Sequence, residues 1–155
     1  MNLGELLTPE QIVPEMQSAG AREAIREVVD HLHDRQLLRG IAREEVLELL
    51  FQRESQVSTG IGSGVAIPHA FVENLDRVVT AFGRSRQGID FSSLDHAPVH
   101  FVVLFIVPKT EYHLHLRTLA AIAKMFANGE IRAELTSAAS GEEILAILSR
   151  RPPRT

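Results

Sequence analysis

The residues best suited to chemistry lie in one stretch, Arg53-Glu54-Ser55-Gln56-Val57-Ser58-Thr59-Gly60-Ile61-Gly62-Ser63-Gly64-Val65-Ala66-Ile67-Pro68-His69-Ala70. It gathers a candidate nucleophile, His69, with a hydroxyl at Thr59, a guanidinium at Arg53 and glycines at 60, 62 and 64. A histidine with an ordinary pKa near ~6.5 is largely neutral at pH 7, and a neutral ring nitrogen can attack phosphorus to form a phosphoramidate. That exchange asks for no metal and no cofactor. Phosphoryl transfer depends on positioning and on donors to the equatorial oxygens. Arg53 offers a bidentate charged fork, Thr59 a hydroxyl, and Gly60 and its neighbours backbone N–H groups that can approach closely. Pro68 extends neither a helix nor a central ladder, so His69 is expected at a strand end or turn, clear of the packed core.

Taken singly these residues are ordinary. A loop histidine is usually solvated, spaced glycines usually make a turn, and an Arg-Glu pair at a helix end is usually dipole-compensating. Their combination is what points to phosphate. The glycine pattern is neither a dinucleotide fingerprint nor a P-loop, since no Lys-Ser/Thr follows and it leads into a strand rather than a helix.

A second candidate is His113-Leu114-His115, at the start of a long helix. Residues two apart on a helix point about 200° apart, so only one of the two can face a His69 site. A zinc site using both would need a strand there. A histidine in the first turn is well placed to help hold a phosphate. His31 and His33 receive no role, and His96 and His100 read as structural or surface residues.

In the surrounding scaffold, Ala21 to Leu38 carries apolar residues at helical spacing, and Glu44-Glu45 opens a shorter helix ending near Arg53. Ser58 to Pro68 reads as a glycine-rich loop, a short strand and a turn. Val78 to Gly83 and Val99 to Val107 read as strands, the second apolar on both faces as a covered central strand would be. Tyr112 to Ala127 returns to helical spacing, and Ser140 with Glu143 forms a capping box for a last helix to Ser149. Thr8-Pro9-Glu10-Gln11 could cap a helix, but Ile12-Val13-Pro14 fits an edge strand better. The intermixed order predicts an α/β fold. Residues 1–155 are expected to form a single domain, with the tail 150–155 frayed.

The composition narrows the classes. The chain has 155 residues, 45% of them hydrophobic, enough for one ordinary core. The 23% charged residues are mixed in sign, with net charge -4, and suggest neither nucleic acid nor an anionic membrane as partner. The most apolar run, Phe101 to Val107, is far short of the ~20 residues of a membrane span. The start, Met1-Asn2-Leu3-Gly4-Glu5, lacks a signal-peptide pattern, so a cytoplasmic location is expected. Cysteine is absent, which removes disulfides, thiolate chemistry and Cys-based zinc sites.

The run Thr59-Gly60-Ile61-Gly62-Ser63-Gly64-Val65-Ala66-Ile67-Pro68-His69 resembles the hallmark of the fructose, mannitol and nitrogen type of enzyme IIA of the bacterial sugar phosphotransferase system. The likeness extends to Arg53-Glu54, to Val99 through Pro108, and to the His115-Leu116 helix and Leu135. It implies a mixed sheet flanked by helices on both faces. It also implies that His69 accepts a phosphoryl group from the histidine-containing phosphocarrier protein and passes it to a IIB component, with His115 as the second active-site histidine. Arg53 matches the family's arginine beside the phosphorylation site, and Thr59 its loop threonine. Two departures bear on branch and partner: Ser63 stands where nitrogen-type members often have Asn, and Ala70 where Gly is usual. Neither a IIB nor a membrane IIC segment is read in these residues, so sugar transport is expected to require separate proteins.

Three functions compete. The first is the phosphotransfer intermediate, and the second a nitrogen-branch regulator whose phosphorylation state controls docking to other proteins. The third, a small metal-binding or structural protein using the seven histidines, has the weakest support.

Overall fold

A computed structural model describes residues 3–150. Short 3-10 turns over Leu3–Leu6 and Pro9–Gln11 lead into strand β1, Ile12–Val13. Helices α1, Ala21–Asp34, and α2, Arg43–Gln56, follow. Next come β2, Gly60–Gly62, β3, Val65–Ala66, β4, His69–Val72, β5, Val79–Ile89, and β6, Val99–Pro108. A 3-10 turn at Lys109–Glu111 then opens α3, Tyr112–Phe126, with α4, Gly129–Ser137, and α5, Gly141–Leu148, behind it.

The strands form one mixed sheet in the order β1-β5-β6-β3-β2, with β4 also paired to β6. β6 is antiparallel to β5 and parallel to β3 and β4. Its side chains alternate as a pleated strand requires. Val102, Leu104 and Ile106 pack with Ile25, Val28 and Leu32 of α1 and Val46, Leu47 and Leu50 of α2. Phe101, Val103, Phe105 and Val107 pack with Ile122 and Phe126 of α3, Leu135 of α4 and Ile144 and Leu148 of α5. Each fully buried side chain of this kind contributes about 1.5–3 kcal/mol, and β6 supplies them to both layers. The expected α/β architecture, a mixed sheet flanked by helices on both faces, is therefore observed.

Several boundaries differ from expectation for local reasons. α1 ends at Asp34 rather than Leu38 because Gln36 turns left-handed, at φ 59°. The N–H of Leu37 then donates to Leu32 and that of Gln36 to His33, the two bonds of a Schellman stop. β1 forms the sheet edge beside β5 as read, but the preceding Pro9–Gln11 turn also exists, with the Thr8 N–H donating to Gln11. The capping box of α5 is half realised: Ser140 accepts the N–H of Glu143, while the Glu143 carboxylate takes Ala139 instead of Ser140. Helix α4, Gly129–Ser137, is an element beyond those expected from the sequence.

β5 runs six residues beyond its expected end at Gly83, through Arg84, Ser85, Arg86 and Gln87. Arg84 is buried. Its guanidinium donates to the carbonyls of Pro14, Leu135 and Ala138 and pairs with Glu15, tying α4 to the edge of the sheet. Of the tail expected to fray, Arg150 pairs with Glu134, and 151–155 lie outside the described residues, as do Met1 and Asn2 of the N-terminal reading.

Candidate functional site

The segment read as a glycine-rich loop is in large part a hairpin. Gly60 pairs with Ala66 and Gly62 with Val65, leaving Ser63 and Gly64 as a two-residue turn. Both take positive φ, 56° and 76°, the conformation that matches the twist of a tight hairpin. The Ser63 N–H is held by the Asp95 carboxylate at 3.2 Å.

β3 and β4 are one line interrupted by Ile67-Pro68. Val65 faces Phe101 and His69 faces Phe105, four residues on along each strand, so no register slips across the break. The Pro68 carbonyl keeps the connection by accepting the Phe105 N–H at 3.0 Å. Side-chain parity is preserved as a result: Ala66, Ala70 and Val72 face α1 and α2, whereas Val65, Ile67 and Phe71 face the other layer. His69 shares this second face and lies under α3.

The strand-end position expected for His69 is therefore found, but its ring does not stand clear of the core. It is 8% exposed, edge-on to Phe71 at 5.9 Å and tilted against His115 at 5.0 Å between centroids. Its Nδ1 lies 2.8 Å from the Ile67 carbonyl. A carbonyl only accepts, so Nδ1 carries the proton and Nε2 keeps its lone pair. Burial lowers the pKa of the ring, the Ile67 carbonyl pulls it up, and Arg53 lowers it again.

Of the two histidines at the start of α3, His115 is the one turned inward, with His113 exposed beside Tyr112. The His115 ring packs edge-on to Phe71 and Phe105. Its pKa is pushed down to about 4, first by burial and then by His69 and Arg53, so it is neutral at pH 7. Its Nε2 is buried and meets no hydrogen-bonding group among the described residues. An unmatched buried polar atom costs about 1–3 kcal/mol, a cost that an incoming acceptor would relieve.

A groove of about 480 Å³ runs past His69, lined among others by Arg53, Thr59, Ile61, Leu119 and Ala123. Arg53 reaches it from the last turn of α2, where a cation suits the helix dipole. Thr59 reaches it too, although its hydroxyl donates to Glu54 at 2.6 Å. Gly60 is not brought to the groove wall. Its N–H donates to the Ser58 hydroxyl, and its Cα faces Ser93 so closely that a Cβ would come within 2.3 Å of that side chain. Sequence reasoning assigned no part to Glu54, Phe71 or Phe105; the first could have been suspected from its place five residues before Thr59.

The remaining histidines are elsewhere. His31 meets the Glu10 carbonyl, His100 meets that of Ser85, and His33 and His96 are exposed. Among the described residues no three His, Asp or Glu side chains converge as a metal centre requires.

With this geometry in view, the chain's relatives are informative. Residues 5–151 match the family model for the phosphoenolpyruvate-dependent sugar phosphotransferase system, EIIA 2. The chain belongs to this family. It is 32% identical over 155 residues to a nitrogen regulatory protein of Bradyrhizobium diazoefficiens, covering 100% of this chain and 99% of that protein. It is 35% identical over 150 residues to the fructose-specific EIIABC component of Bacillus subtilis, covering 97% of this chain but 23% of that much longer protein. The crystal structure of the nitrogen regulatory protein IIA-Ntr from Neisseria meningitidis superposes with a TM-score of 0.85 at 33% identity, covering 94% of this chain and 98% of that one. A complex of enzyme IIA and phosphorylated enzyme IIB for mannitol from Escherichia coli shares the fold, with a TM-score of 0.75 at 19% identity, covering 94% and 98%. The family thus includes sugar-specific and nitrogen-regulatory members, and its EIIA domains act as phosphotransfer carriers. No helix among the described residues is long and apolar enough to cross a membrane.

Proposed function

We propose that this chain is a phosphocarrier that takes a phosphoryl group onto Nε2 of His69 from the histidine phosphocarrier protein and passes it to a IIB component. One observation carries the reading: Nδ1 of His69 is tied to the Ile67 carbonyl, which leaves Nε2 as the nucleophile, beside a second histidine whose Nε2 is buried and unmatched. In the transfer the donor's P–N bond breaks as the bond to Nε2 forms. The carbonyl of Ile67 then stabilises the positive charge that develops on the His69 ring. Arg53 neutralises charge on the equatorial oxygens, and a neutral His115 donates to one of them through Nε2–H. Backbone N–H groups of the hairpin are further candidates, with Thr59 free to donate only if its hydroxyl leaves Glu54. Neither metal nor cofactor takes part. The mannitol IIA and IIB pair supports a IIB-type partner by analogy of fold. Helices from both halves of the chain cover one sheet, which supports residues 1–155 as one EIIA unit, and exchange with the phosphocarrier protein would place that unit in the cytoplasm.

The test is intact-mass analysis after incubation with phosphoenolpyruvate, enzyme I and the phosphocarrier protein. An acid-labile phosphate is expected on wild type and on His115→Ala, and none on His69→Ala. Full labelling of His69→Ala would sink the reading.

A second reading has support in the end-to-end match to nitrogen regulatory proteins. Val57 and Ile61 stand exposed at the groove, and a phosphoryl group there would add up to two charges to an apolar docking face. In this reading phosphorylation of His69 switches regulated target proteins on or off this face. Identical partners captured by phosphorylated and unphosphorylated protein would count against it.

A further inference from the structure

One charged side chain beside the groove has no part in the chemistry above. Glu54 sits in the last turn of α2, where the negative end of the helix dipole disfavours a carboxylate. It is also half-buried. Burial pushes its pKa above the ordinary carboxylate range, against two hydrogen bonds from Thr59 that pull it down. A carboxylate serving only solubility would turn outward from that position, and this one turns inward.

What it holds is Thr59, by both donors. The Thr59 N–H lies 3.2 and 3.3 Å from the two carboxylate oxygens, and the hydroxyl lies 2.6 Å from Oε2. The Thr59 carbonyl accepts the Ile67 N–H at 3.0 Å, and the Ile67 carbonyl accepts Nδ1–H of His69 at 2.8 Å. Hydrogen bonds therefore run without a gap from the carboxylate to the ring. β3 is paired on its other side to β6, but β2 is the edge of the sheet and, among the described residues, pairs only with β3. Thr59 and Ile67 lie just beyond the paired Gly60 and Ala66, at the open end of a hairpin whose strands have three and two residues. So short a pair is weak unaided.

We propose that Glu54 is a positioning residue for His69: by gripping Thr59 it fixes the Ile67 carbonyl that holds the ring as its Nδ1–H tautomer and aims Nε2 into the groove. The proposal rests on the reading of His69 as the phosphoryl acceptor and gives that site a part not assigned by its chemistry. Among the described residues the Glu54 carboxylate hydrogen-bonds Thr59 and neither His69 nor Arg53.

The full chain, labelled with 15N in its histidines, tests it through two independent readouts. The first is the ring-nitrogen NMR spectrum of unphosphorylated His69, and the second is the rate of phosphoryl uptake as the phosphocarrier protein is varied. In wild type the ring is expected as one tautomer, with Nδ1 protonated. Glu54→Ala should give a mixed tautomer and a maximal rate lower by about tenfold, with KM for the donor within about twofold. Glu54→Gln, which keeps one oxygen, should fall between. Glu45→Gln, an exposed carboxylate on the same helix, should match wild type in both. If Glu54→Ala does not fold, Glu54→Gln and Thr59→Val carry the same expectation for the ring. A wild-type ring spectrum in these variants overturns the proposal, whatever happens to the rate. If wild type takes up no phosphate, the phosphocarrier reading falls, while the ring spectrum still decides whether Glu54 positions His69.

Discussion

The rings of His69 and His115 lie 5.0 Å apart, tilted 49°, with both pKa values held down by burial and by Arg53. Two imidazoles this close cannot comfortably both be charged, and neutrality is what the proposed roles ask of each: His69 to attack, His115 to donate.

The depressed pKa of His115 makes stability depend on acid. The unfolded chain binds a proton on this residue near the ordinary value of 6.5, the folded chain only near 4. Between those values the unfolded state holds more protons, so stability is full above pH 6.5 and falls as the pH drops towards 4. Urea denaturation across that window should register a loss on the order of 2 kcal/mol, and His115→Gln should flatten much of the slope. An unchanged slope in the variant would place the acid sensitivity elsewhere.

The two groups assigned to the phosphoryl oxygens should differ from His69 in kind. His115→Ala and Arg53→Ala are each expected to slow phosphoryl uptake by about 100- to 1000-fold without abolishing it, the range for losing one preorganised donor. Arg53→Lys should recover only part, because a point charge does not reproduce a bidentate fork. Rapid-quench labelling would measure this, and a wild-type rate in Arg53→Ala would remove that residue from the site.

Gly60 is predicted to matter through space rather than through its N–H. A Cβ there would lie 2.3 Å from the Ser93 hydroxyl and 3.0 Å from its Cβ. Gly60→Ala should therefore cost about 1–3 kcal/mol in thermal or urea unfolding, and adding Ser93→Ala should return some of it. A neutral effect of Gly60→Ala alone would show that the loop around Ser93 yields easily.

Ser63 is a non-glycine residue at positive φ in the hairpin turn. Asparagine tolerates that conformation better, so Ser63→Asn should stabilise the protein by about 0.5 kcal/mol and raise Tm by about 1–2 °C. Calorimetry reads this directly, and a fall in Tm would point to a loss at the Asp95 contact.

Arg84→Met should be costly despite the good match in length. It leaves the buried carbonyls of Leu135 and Ala138 without their guanidinium donor, for an expected loss of about 3 kcal/mol. Equilibrium unfolding that differs little from wild type would mean that α4 holds its place without Arg84.

Much of the scaffold was legible from local pattern. The two-faced apolar run of β6, the helical spacing in α1 and α3, and the turn chemistry from Gly60 to Pro68 each report on backbone conformations that neighbouring residues impose. Candidate chemistry was legible for the same reason, since Arg53, Thr59 and His69 lie within one short segment. The spacing of His113 and His115 showed that only one could face inward, and helix packing against β4 and β6 selected His115. Other features left little local trace. α4 has few apolar residues to mark a period, although Asn128 caps its start through the N–H groups of Glu130 and Ile131. β5 continues through Arg84 because that guanidinium finds carbonyls 51 and 54 residues away. The burial of His69 under α3 depends on β3 and β4 keeping one register along β6. Periodicity and backbone stereochemistry are written in adjacent residues, and so the sequence determined the elements and the kind of chemistry. Burial and the partners of Arg84 depend on atoms far along the chain, and the tautomer of His69 on how the backbone turns at Ile67 and Pro68, and those only the tertiary structure decided.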